Sequence, residues 1–206
     1  MIALLVNAKL FPTMPRMKDF DENEVLAKAV RLFWHKGYNG TSMEDLVDFL
    51  GISRSSLYRA FTDKHTLFKK ALYSYQQFSF AQVREVIDDT VTAKKNIRNL
   101  MEFIAGQMLR DKQQKGCFSV NTEVELAPHD REIKQMVILN DRQTEDLFYK
   151  VVKKGQETGE IKKDPDARMR ARFIFNAVQG MRVTVKSTSD KAIFDGIIKL
   201  TLSSLD

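Results

Sequence analysis

The stretch GISRSSLYRAF, Gly51 to Phe61, gathers two arginines, three serines and a tyrosine around only three clearly apolar side chains, Ile52, Leu57 and Phe61. In a short helix Leu57 points inward with Ile52 and Phe61 bracketing it, which leaves Arg54, Ser55, Ser56, Tyr58 and Arg59 facing out. Arginine binds guanine bidentately in the major groove of DNA, and serine and tyrosine hydroxyls reach phosphates or base edges. This is the chemistry of recognition rather than of catalysis. Lys64 and His65 follow in the first turn of the next expected helix, where the dipole disfavours a cation. A phosphate there reverses the sign, because free backbone N–H groups and Lys64 then act on one anion. Thr41 and Ser42 offer the same arrangement at an earlier helix start. Ser53 opens the donor-rich helix itself.

The elements that must position these residues are read from apolar periodicity. Leu26, Ala29, Val30 and Phe33 repeat at helical spacing, with Asp21, Glu22 and Glu24 early and Lys36–Gly37 as the stop. Thr41-x-x-Glu44 reads as a capping box ahead of Met43, Leu46, Val47 and Leu50, and Gly51 ends that helix. A helix over 42–50, a tight turn at Gly51–Ile52 and a helix over 53–60 have the lengths of a helix-turn-helix. A long helix follows, capped at Thr62 or Asp63 and running toward Asp89, with Leu67, Phe68, Ala71, Leu72 and Tyr75 on its inner stripe. Later periodic segments cover about 94–110, 119–126, 130–157, 166–187 and 190–204. The fold class is all-α: three small helices, then a larger helical bundle, with the fourth helix belonging to both.

Composition narrows the function classes. The chain of 206 residues is long enough for a sizeable core, and four prolines and nine glycines leave long stretches free to be helical. One cysteine, Cys117, excludes an intrachain disulfide and any cysteine-rich zinc site, and three scattered histidines supply no metal spacing, so no metal or cofactor is expected. A reducing cytoplasm is the simplest setting. The opening MIALLVNAKLFPTMPRMK is too short an apolar run to span a bilayer and lacks a signal-peptide pattern. Residues 1–18 read as a poorly structured arm, with Met14 and Met17 as alternative starts. The net charge of +6 is shared evenly between residues 1–75 and the rest, so bulk charge alone does not identify a nucleic-acid partner.

Residues 25–68 resemble the DNA-binding domain of the TetR family of transcriptional regulators. The matching features are A-x-x-L-F at Ala29–Phe33, G-Y-x-x-T-S at Gly37–Ser42, G-I-S at Gly51–Ser53, L-Y-x-x-F at Leu57–Phe61 and the lysine at Lys64. The resemblance implies that Ser53 to Arg59 form the recognition helix and that Tyr58 and Lys64 hold phosphates of a double-stranded DNA operator. Ser55 departs from a frequent glycine of the family. The implied architecture is a helix-turn-helix domain over 19–65, and an effector-binding and dimerisation bundle over 66–206. The homodimer is expected to close through 166–187 and 190–204, whose Phe173, Ile174, Ala177, Val178, Met181, Ile193, Ile197, Ile198, Leu200 and Leu202 give an apolar surplus. Repression of a palindromic operator, released by a small molecule, follows from the same resemblance.

Candidate cavity residues are Phe103, Met108, Cys117, Phe118, Asn121, Phe148, Phe175 and Gln179, since aromatics with a few polar groups suit a partly apolar effector. Cys117, with Lys112 and Lys115 nearby, raises the alternative of a thiol sensor for oxidants or electrophiles. A helical protein-interaction module without DNA binding is the rival of another class. Enzyme chemistry finds little support: Glu123, Glu125 and His129-Asp130 lack a nucleophile, phosphate loop or metal spacing, and Asp130 reads as a helix cap.

Overall fold

The computed structural model describes residues 20–206; the expected N-terminal arm over 1–18 and its alternative starts lie outside the described residues. Among the described residues there are nine helices and no strand. They are α1 (Glu22–Lys36), α2 (Met43–Leu50), α3 (Arg54–Phe61), α4 (Lys64–Glu85), α5 (Ala93–Arg110), α6 (Phe118–Glu125), α7 (Arg131–Glu157), α8 (Ala167–Thr184) and α9 (Lys191–Ser203). Within the described residues no helix is long and apolar enough to cross a membrane.

Local chemistry sets most helix starts. Asp21, Asp63, Asp130, Asp166 and Asp190 each accept a backbone N–H from the first turn they precede. Such caps contribute about 1 kcal/mol apiece. The start of α2 differs from the expected Thr41–Glu44 box. Ser42 is the cap, and the reciprocal pair is Ser42 with Asp45. Thr41 is buried instead, its Oγ1 donating to the Gly37 carbonyl at 2.6 Å, so its hydroxyl is spent on closing the α1–α2 turn. The fourth helix also stops short of Asp89, at Glu85. Buried Asn96 takes the Asp88 N–H on Oδ1 (3.0 Å) and donates Nδ2 to the Asp88 carbonyl (2.8 Å), which turns the chain into α5.

Two apolar cores result. One joins Ala29, Phe33, Leu46, Leu50, Leu57, Phe61, Leu67 and Phe68 of α1–α4 to Phe118, Leu126, Ile133 and Val137 from further along the chain. The Phe33 and Phe118 rings meet Phe68 edge-on, with centroids 4.9 and 5.5 Å away. The α1–α3 unit therefore sits on the bundle through shared packing as well as through the continuous α4. The other core lies among α5, α7, α8 and α9 and includes Ile97, Leu100, Phe148, Val152, Ile174, Val178 and Phe194. In the terminal helices the apolar surplus divides: Ile174, Val178, Met181 and Ile198 are buried within the chain, while Met169, Phe173, Ile193 and Leu200 are exposed.

Candidate nucleic-acid interface and buried cavity

Gly51 ends α2 in the left-handed conformation (φ 69°), a region that a side chain disfavours, and the chain reverses into α3 within three residues. Ser53 caps α3, accepting the Ser56 N–H at 3.1 Å. Leu57 and Phe61 are fully buried and Ile52 is half-buried, so α3 is fastened by the side chains that its periodicity assigns to that task. Arg54, Ser55, Tyr58 and Arg59 are exposed, Tyr58 to 45%.

Ser56 is the exception on this face. Expected outward, it is buried and hydrogen-bonds Ser53 Oγ, and its Oγ accepts Arg59 Nη2 at 3.0 Å. At three residues from each partner it links the helix start to the Arg59 guanidinium.

The flanking cations are anchored as well. Lys64 Nζ donates to the Thr41 carbonyl at 2.6 Å and lies 4.2 Å above the Tyr38 ring; burial lowers its pKa from the ordinary lysine value. It thus ties α4 to the start of α2. His65 has a partner within the protein: its Nε2 lies 2.6 Å from Oδ2 of Asp130, the cap of α7. Asp63 takes the Thr66 N–H, so the protein itself supplies an anion where a phosphate was expected. Ser42 remains exposed; its Oγ accepts the Asp45 N–H, and its hydroxyl acts on the Asp45 carboxylate. Asp45 is held at a pKa of about 2, chiefly by the hydrogen bond from Lys36 and then by Ser42.

Glu125 is a residue whose role the sequence reading missed. From the last position of α6 it accepts the Tyr38 N–H at 3.1 Å and the Asn39 N–H at 2.8 Å, both in the α1–α2 turn. Gly37 in that turn has φ 75°, which an L side chain rarely adopts, and a Cβ there would stand 2.9 Å from the same carboxylate and push it aside.

A cavity lies between α4, α6 and α8, in two connected lobes that share Tyr75, Ser79, Val83, Cys117 and Arg182. The more apolar lobe, a cavity of about 70 Å³, adds Trp34, Ile104, Gln107, Met108 and Asp111; the other, about 10 Å³, adds Gln76, Ser119, Asn140 and Thr144. Of the residues expected to line a cavity, Met108 and Cys117 line this one, and Phe118 and Asn121 line a separate, more open groove beside Gly37 and Val183. Phe118 and Phe148 are fully buried in the two cores, and Phe103 and Phe175 pack against the second. Asn121 is held outside the two lobes by the Lys115 carbonyl and Lys186, and Gln179 accepts Arg182 Nη1 at 2.9 Å. Flat apolar rings at helical spacing pack well against other apolar side chains, which places Phe148 in a core. Arg182 was legible in principle, since it continues the four-residue spacing Ile174–Val178 along a buried stripe, where a charge demands explanation.

Cys117 is buried, and its Sγ accepts the Tyr75 hydroxyl at 3.5 Å. Lys115, expected to act on the thiol, is engaged by Asp111 at 2.7 Å and stands over the Trp34 ring. Reactive thiols are partly exposed in positive surroundings, and this one is enclosed.

A short helix with an outward row of donors, locked by its apolar face to a glycine-turned partner and carried on a helical body, defines a helix-turn-helix regulator. Residues 25–71 match the family described as bacterial regulatory proteins, tetR family, and residues 93–200 match the tetracyclin repressor-like C-terminal domain. The chain is 31% identical to the uncharacterized HTH-type transcriptional regulator YezE of Bacillus subtilis (strain 168), over 94% of this chain and 100% of that protein. It is 28% identical to the HTH-type transcriptional repressor ComR of Escherichia coli (strain K12), over 83% of this chain and 82% of that one. Its fold is similar to that of a cysteine mutant of the TetR family regulator CifR, solved with 26-bp double-strand operator DNA: TM-score 0.82 and 24% identity, over 93% of this chain and all of that one. The chain belongs to the TetR family of DNA-binding transcriptional regulators.

Proposed function

We propose that the protein is a homodimeric repressor that reads a pseudo-palindromic operator through α3 and lets go when a small-molecule effector occupies the buried cavity. The observation that carries the reading is α3 itself, whose Arg54, Ser55, Tyr58 and Arg59 are presented outward while Leu57 and Phe61 are fully buried. Residues 19–65 supply the DNA-binding unit, and residues 66–206 supply the cavity and the dimer contact. The protein works in the cytoplasm, where its operator lies.

A second copy is the occupant that suits the exposed Met169, Phe173, Ile193 and Leu200, the last 72% exposed. An apolar face shared by two terminal helices fits a bundle closed across a two-fold axis. Two recognition helices related by that axis read half-sites about one DNA turn, or a multiple of it, apart. The naming of ComR as a repressor, and the complex of a CifR mutant with operator DNA, support the reading. Thermodynamically the effector releases DNA only as far as it prefers the conformation that does not bind it.

Footprinting with two variants tests the interface. Arg59→Ala weakens specific binding by about 1–3 kcal/mol if the guanidinium meets a base edge. Lys64→Ala weakens all sequences alike and lowers the salt slope by about one. Unaltered affinity in both variants removes this face from the interface, and a monomer in sedimentation removes the dimer.

A further inference from the structure

The cavity is lined by more donors than the protein satisfies. Among the described residues, the buried side-chain polar atoms without a hydrogen-bond partner are Trp34 Nε1, Gln76 Nε2 and Ser119 Oγ, and all three residues line one lobe or the other. Gln76 and Ser119 are 5% and 3% exposed. Arg182, shared by both lobes, is 8% exposed; Gln179 takes its Nη1, and among the described residues no carboxylate stands within ion-pairing distance of the guanidinium. Indole and guanidinium groups donate only, the amide nitrogen donates, and a hydroxyl does either. The occupant that answers this set is an acceptor-rich anion.

Two further facts limit that anion. Asp141, whose carboxyl feels the Arg182 charge, and Glu123 beside it already place negative charge near the polar lobe, which favours a single added charge over two. Val83, Ile104 and Met108 give the adjoining lobe an apolar wall. Resting on the effector reading above, we infer that the cavity takes a small monocarboxylate, its carboxylate on Arg182, Gln76 and Ser119 and its apolar body against Val83, Ile104 and Met108.

The test uses the full chain and matched probes: butyrate, hexanoate and benzoate, each against its neutral amide, with inorganic phosphate as a dianion control. Binding is read by calorimetry and by thermal shift, neither of which needs DNA. At about a hundred times its Kd an acid raises Tm by roughly 5–10 °C. Its amide and phosphate bind at least about tenfold more weakly, because neither offers one compact negative charge to the guanidinium. Arg182→Gln weakens the acid at least about thirty-fold, whereas Arg182→Lys keeps part of the affinity. Gln76→Leu removes one donor but leaves the charge, and a severalfold loss there carries the proposal if Arg182→Gln does not fold. Equal binding of acids and amides, wild-type affinity in Arg182→Gln, wild-type affinity in Gln76→Leu, or no acid bound at about 10 mM overturns it. Release of operator by a neutral cavity ligand overturns the carboxylate and leaves the effector reading standing. Carboxylate binding with no footprint on any operator supports the ligand class while removing the regulatory reading.

Discussion

Replacing Glu125 by alanine deletes the carboxylate that receives the Tyr38 and Asn39 N–H groups at 3.1 and 2.8 Å. A hydrogen bond to a charged group contributes about 1.5–3 kcal/mol, and an orphaned buried donor costs its desolvation besides. Asn39 is exposed and recovers water when Glu125 is gone, whereas Tyr38 is half-buried and recovers less. The two bonds together are therefore worth about 2 kcal/mol rather than the sum of their full values. Glu125→Gln keeps one acceptor oxygen in place of two and lacks the charge, so it loses about half as much. In urea denaturation of the full chain, alanine lowers the midpoint at unchanged m, and the thermal midpoint falls by roughly 4–8 °C. Native-state hydrogen exchange locates the effect, with protection lost at the Tyr38 and Asn39 amides. The Lys64 pKa falls further below its usual value, because Glu125 is the charge that now raises it. Stability within about 0.5 kcal/mol of the parent, with both amides still protected, refutes the clamp.

Burial, then the Glu123 charge, push Asp141 up to about 6, so the folded state holds its proton where the unfolded state has released it. Stability therefore falls as pH rises from about 4 to about 6, and the penalty persists above. Asp141→Asn raises stability at pH 7.5 by about 1–2 kcal/mol after allowance for solvent screening, and the gain vanishes below about pH 4; an unchanged pH profile by denaturant titration refutes this. Leu57→Ala, at a fully buried position, costs about 2–5 kcal/mol and releases α3, read as lost exchange protection over Arg54–Phe61.

Much of the fold was legible because helix starts are local chemistry: Asp21, Asp63 and Asp130 stand three or four residues before the first apolar position of a stripe, and each caps there. Where two adjacent residues are both able to cap, local chemistry does not decide. Thr41 and Ser42 are equal candidates until the α1–α2 turn buries Thr41. The inward face of α3 was legible from Leu57, but Ser56 was not, since its burial depends on Ser53 and Arg59 converging on one hydroxyl. At the start of α4, the sequence showed Lys64 and His65 as bare charges. Their partners, the Thr41 carbonyl and Asp130, are 23 and 65 residues away in the chain. The cavity was least legible, because its lining is polar side chains on otherwise apolar stripes, Gln76 following Phe68 and Leu72, and Arg182 following Ile174 and Val178.

Helix α6 is eight residues long, so about 12 Å separates its ends. Ser119 in its first turn lines the cavity, and Glu125 at its last residue grips the turn that leads into α2. Two turns of hydrogen-bonded helix have no slack to absorb a displacement, and no side chain caps the end nearest the cavity. The helix is thus a short rigid strut between the cavity lining and the α1–α2 turn, joined to that turn by the two Glu125 bonds and to α4 by the Phe118–Phe68 contact.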